Sequence, residues 1–105
     1  MNILKKIYYT KYRKISYSIS SVDLIINRIF SKIRKGVYID LGCNHPIKYN
    51  NTYLLHERGW TGINIDSDLT SIKIFNQFRK KDLNIQALVS STEKKIKYFF
   101  YHNRS

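Results

Sequence analysis

An apolar run that ends in an acid and then turns on a glycine, residues 37–46 (VYIDLGCNHP), is the strongest constraint on this 105-residue chain. Val37, Tyr38 and Ile39 lead into Asp40, and Gly42, Asn44 and His45 follow closely. A parallel strand buried on both faces has this near-continuous apolar character. When such a strand delivers its backbone to a ligand, it ends in a polar residue and a glycine turn. A second run, Gly62-Ile63-Asn64-Ile65, also ends in an acid, Asp66.

A glycine turn after one strand and an acid closing the next is the layout of a Rossmann-type nucleotide site. Glycine lets the backbone approach the ligand, and the second acid can accept hydrogen bonds from ribose hydroxyls.

The rest of the chain supplies elements around these two strands. Ile15, Ile19, Val22, Ile26, Ile29 and Ile33 recur at alternating intervals of four and three. That spacing predicts an amphipathic helix over residues 15–34, with the stripe as a packing face and Gly36 as its stop. Strand one covers residues 37–41, and residues 42–50 form a loop holding the only proline, Pro46. Asn51 or Thr52 caps a short helix reaching about Arg58, with Tyr53, Leu54 and Leu55 inward, and Gly59 stops it. Residues 63–66 are strand two. Asp68 caps a helix over 69–79 whose apolar face is Leu69, Ile72, Ile74, Phe75 and Phe78. Lys80, Lys81 and Asp82 turn the chain into strand three, residues 83–89. Residues 95–101 alternate in character and read as a half-buried fourth strand.

The order β-α-β-α-β-β with short connections gives an α/β class with parallel first strands. A doubly wound nucleotide fold needs strands on both sides of its switch point, so the expectation is its first half, truncated after the fourth strand-like segment. The chain divides into a basic amphipathic helical segment, residues 1–35, and a partial α/β domain, residues 36–105.

Charge follows the same division. Of the net +12, residues 1–35 carry +8, with nine Lys or Arg against Asp23 alone. A solvated helix face accounts for this; contact with an anionic surface through residues 1–35 is the sharper alternative. No RNA-binding motif, zinc finger or other reader module is present, so no specific nucleic acid is expected. One cysteine excludes an internal disulfide and fits a reducing compartment. No apolar run approaches the roughly 18 residues of a membrane span, and the start lacks a signal-peptide core, so the expected location is cytoplasmic.

The segments GVYIDLGCNHP, YNNTYLLHERGW, GINID and RKKDLNIQALVS together resemble the amino-terminal half of FkbM-type methyltransferases, over about residues 36–101. The resemblance implies a Rossmann-like class I methyltransferase fold and S-adenosylmethionine as cofactor. It also implies O-methylation of a sugar or small-molecule hydroxyl. Carried over by position, Asp40, Gly42 and Asn44 fall in the loop around the methionine part of the cofactor. Asp66 falls where an acid grips the ribose hydroxyls, with Ser67 and Asp68 at the adenine edge and Asn51 and Thr52 orienting the loop. Two departures stand out: Gly42 is the loop's only glycine, and the half that would hold the acceptor lies beyond the matched segments.

His45 is the one candidate for a catalytic base, since an imidazole beside the loop could deprotonate a hydroxyl. The competing reading is a loop histidine that fixes the turn before Pro46. His56 and His102 read as structural or solvent-facing, Cys43 and Trp60 as core, and Arg79 with Asp82 as stabilising the turn before strand three, although the resemblance leaves a functional role open for that pair. No metal-ligand spacing occurs. Three function classes follow: an S-adenosylmethionine-dependent methyltransferase present as its amino-terminal part, a non-catalytic nucleotide- or cofactor-binding module, and a basic nucleic-acid or membrane-surface protein.

Overall fold

The computed structural model describes residue 3, residues 15–91 and residue 93. The fourth strand expected over 95–101, His102 and the basic cluster at Lys5, Lys6, Lys11, Arg13 and Lys14 lie outside the described residues.

Three strands form one parallel sheet in the order β1-β2-β3: β1 is Val37–Leu41, β2 Thr61–Asp66 and β3 Leu83–Gln86. The register sets Ile39 beside Ile63 and Ile63 beside Leu83; one step on, Leu41, Ile65 and Ile85 form the next row. Helix α1 is Val22–Ile29, α2 is Tyr53–Glu57 and connects β1 to β2, and α3 is Leu69–Phe78 and connects β2 to β3. The chain is α/β with a small parallel sheet, as its alternation of elements predicts. Strand three is shorter than the expected 83–89, ending at Gln86.

Local signals set several boundaries. Asp68 caps α3, its side chain accepting from Thr70 N. Gly59, at φ +92°, stops the chain after α2. Thr52 occupies the N-cap position of α2 but makes no side-chain cap bond.

The long amphipathic helix expected over 15–34 is cut to Val22–Ile29. Serine-rich sequence before it diverts the backbone, as short polar side chains do when they compete for backbone groups. Asp23, almost wholly buried, accepts from Ser16 Oγ, Tyr17 N and Leu24 N, while its own N–H donates to Ser18 Oγ. Ser20 and Ser21 take left-handed conformations just before the helix. At the other end Arg58 Nη2 donates to the carbonyls of Phe30 (2.9 Å) and Ile33 (2.7 Å), holding the chain in turns before Gly36. The isoleucine stripe is not a packing face either. Ile15, Ile19, Ile29 and Ile33 are exposed, and of the six only Ile26 packs against the core. Gly36 is not the helix stop; a Cβ there would lie 2.5 Å from the Trp60 ring, so the glycine makes room for that indole.

The core lies on one side of the sheet. Tyr38, Leu55 and Trp60 form one cluster, and Cys43, Ile72 and Phe75 a second. Beneath the helices the sheet is unexpectedly polar, presenting Tyr38, Asp40, Gly62 and Asn64. The opposite face carries Val37, Ile39, Leu41, Leu83 and Ile85, all exposed. Among the described residues, the apolar run that reads as buried on both sides is therefore covered on one side only.

Beneath α3 a buried Arg79 meets Asp82 at 3.4 Å, both side chains fully shielded. Asp82 also accepts from Tyr38 Oη, Gly62 N (3.1 Å) and Asn64 Nδ2 (2.9 Å). The pair thus does more than stabilise the turn before β3: it fills the polar side of the sheet with a hydrogen-bonded network. Among the described residues no helix is long and apolar enough to cross a membrane.

Candidate functional site

The carboxyl ends of β1 and β2 lie side by side, and the loops leaving them meet. Gly42 N and Cys43 N both donate to Ile65 O, at 2.8 and 3.1 Å, so the loop after β1 stays tied to β2 as it turns. Gly42 has φ +72°, and a Cβ built on it would meet nothing within 4 Å. Its glycine character therefore answers the turn and leaves open space above the backbone. Asn44 follows in the left-handed region at φ +61°, a conformation asparagine tolerates better than most residues.

Asp66 closes β2 against this loop. Its Oδ2 accepts from Asn44 N and its Oδ1 from Asp68 N, each at 2.9 Å. A carboxylate has about four lone-pair positions, so both oxygens keep capacity for a further donor. Asp40, one strand over, is half-buried; burial raises its carboxyl above the ordinary range, with the Arg79 cation opposing and the Asp66 charge reinforcing the shift.

A cavity of about 410 Å³ opens at these strand ends, lined by Leu41, Gly42, Ile65, Asp66, Ser67, Ala87, Leu88 and Val89. That size lies within the range of small-molecule sites. Larger hollows lie beside α1 (about 610 Å³) and beside Trp60 and Lys81 (about 450 Å³). Neither sits at the carboxyl ends of the strands, where open parallel sheets take their ligands.

Of the cofactor candidates, Gly42, Asp66 and Ser67 line the cavity; Asn44 is held to it through Asp66, and Asp40 lies beneath on the covered face. Ala87, Leu88 and Val89 were missed as site residues because they read as the end of a strand. The signal available was their place just past a strand's carboxyl end.

His45 serves the loop. Its Nδ1 accepts from Ile47 N (3.1 Å) and Lys48 N (3.0 Å), which leaves the neutral ring's proton on Nε2. Burial and the Lys48 charge lower its pKa, in keeping with an acceptor nitrogen that must stay unprotonated. The geometry matches a loop histidine that fixes the turn, with Nδ1 occupied as an acceptor. Cys43 is buried, its thiol pushed up to about 12 first by desolvation and then by the Asp40 and Asp66 charges. That is a core thiol, not a nucleophile. Thr52 turns inward, donating to Asn50 Oδ1 at 3.0 Å, whereas Asn51 is exposed. Among the described residues no cluster of His, Cys, Asp and Glu could hold a metal ion. No family model, no characterised protein and no solved structure matches this chain.

Proposed function

We propose that residues 36–89 form the cofactor half-site of an S-adenosylmethionine-dependent methyltransferase, with a sugar or small-molecule hydroxyl as acceptor. One observation carries this reading. A left-handed glycine with open space above it and a strand-terminal carboxylate share one cavity across adjacent parallel strands.

The residues present fit such a ligand. Gly42 offers backbone approach without a side chain. Asp66 would hold the ribose hydroxyls through lone pairs its two backbone partners leave over, with charge-assisted bonds stronger than neutral ones. Leu41, Ile65, Leu88 and Val89 give the cavity apolar walls against which a flat heterocycle would be shielded from water. S-adenosylmethionine, when bound, would supply an electrophilic methyl group for transfer to the acceptor oxygen. The chain's contribution is to bind and orient, so that a bimolecular displacement gains the advantage of fixed geometry.

Calorimetric titration of the purified chain with S-adenosylhomocysteine tests the reading, with NAD and ATP as comparators. Saturable binding of S-adenosylhomocysteine, weakened at least about tenfold in Asp66→Ala and absent for NAD and ATP, is expected. A chain that melts cooperatively yet binds none of the three, or that prefers NAD, would overturn it.

A further inference from the structure

We propose that Arg79, acting through Asn50, is the positioning residue of the loop after β1, holding it in its ligand-receiving shape before a ligand arrives. The functional consequence rests on the cofactor reading above; the structural claim stands separately.

The loop contains two left-handed residues of ordinary type, Asn44 and Tyr49, besides Gly42. Such conformations persist where surrounding structure over-determines them. Arg79 supplies that constraint from beneath. Its side chain is fully buried, and Nη2 donates to Pro46 O at 2.8 Å and to Asn50 Oδ1 at 3.1 Å. Asn50, itself 1% exposed, passes the constraint on: its Nδ2 donates to Cys43 O at 3.2 Å. The start, middle and end of the loop are thereby tied to one guanidinium.

The guanidinium is fixed in turn. Nη1 donates to Tyr38 Oη at 2.9 Å and meets Asp82 at 3.4 Å, and the rings of Tyr53 and Phe75 lie 5.6 Å from its centre. This arrangement needs a planar fork whose two nitrogens address different partners, which a lysine ammonium cannot reproduce. Arg79 does not line the cavity, so its effect on a ligand passes through the loop.

Asn50→Asp is the discriminating variant. A carboxylate keeps an acceptor for Arg79 and for Thr52 N, but it replaces the nitrogen that donates to Cys43 O with a second acceptor. Amide hydrogen exchange reads the result at Cys43, Asn44, Ile47 and Lys48, whose N–H groups are all hydrogen-bonded in the native loop. Exchange at these amides should speed up at least about tenfold and by more than at the strand β2 amides, while the melt stays cooperative, as expected for local opening. S-adenosylhomocysteine affinity should fall about tenfold or more, and Arg79→Lys should show the same loop signature. Loop exchange in Asn50→Asp equal to wild type would overturn the proposal. Should both variants fail to fold, the wild-type loop amides decide: protection within about tenfold of β2 supports a clamped loop, and exchange far faster than β2 refutes it. A wild-type chain that binds no S-adenosylhomocysteine, while Asn50→Asp still loosens the loop, would remove the cofactor reading and leave the positioning role standing.

Discussion

The ring of Tyr38 lies directly against Gly62 on the neighbouring strand: a Cβ at position 62 would fall 2.2 Å from Tyr38 Cδ1 and 2.2 Å from the Tyr38 carbonyl oxygen. The close approach lets Tyr38 Oη reach Asp82 while Gly62 N donates to the same carboxylate. Gly62→Ala should therefore destabilise by about 3 kcal/mol, at the upper end for overpacking, because one clashing atom is backbone and cannot swing away. Denaturant unfolding measures it; a loss under about 1 kcal/mol would mean the strands separate cheaply.

The Arg79–Asp82 pair predicts an asymmetry between adjacent positions. Asp82→Ala leaves a fully buried guanidinium without its counter-charge, and such losses cost about 3–5 kcal/mol. Exposed Lys81→Ala should change stability by less than about 0.5 kcal/mol. Parallel urea titrations compare the two, and similar costs would refute the buried-pair account.

Protonation of His45 should loosen its loop. The folded ring has a lowered pKa, so the neutral form is the one the fold favours. Its stabilising effect is complete above the ordinary histidine value of about 6.5 and disappears as pH falls through the lower folded value. A ring titration followed by NMR should give a midpoint below 6.5. A midpoint at or above it would contradict the two bonds accepted by Nδ1.

Cys43 should be inert in the folded chain. With the side chain buried and its thiol pushed up to about 12, almost no thiolate exists at pH 8. A disulfide reagent should label it only after denaturant is added; prompt labelling of native protein would place the thiol at the surface.

The two faces of the sheet should respond oppositely to substitution. Ile39 is 66% exposed, so Ile39→Thr should shift stability by less than about 0.5 kcal/mol and reduce binding of an apolar dye. Phe75, fully buried, should cost about 3–5 kcal/mol as Phe75→Ala. Thermal melts of both variants check this, and a large loss at Ile39 would show that face to be covered.

What the sequence determined by itself is what neighbouring residues decide. The bounds of β1, the Asp68 cap, the halt at Gly59 and the parallel β-α-β order all follow from local propensity and short connections. The positions of Gly42 and Asp66 at strand ends were legible for the same reason.

Only the tertiary structure decided features that depend on distant partners. Ile15 to Ile33 has helical spacing, yet Asp23 gathers Ser16 and Tyr17 at one end and Arg58 captures Phe30 and Ile33 at the other, so eight residues remain α-helical. Val37 and Ile39 look like core, yet which face of a sheet is covered depends on where the connecting helices lie. Arg79 reads with Asp82 as a stabiliser of the turn before β3, and nothing local shows that Tyr38, Pro46 and Asn50 will also converge on it. A buried charge is tolerated only when several partners converge on it, and that convergence is made by the fold.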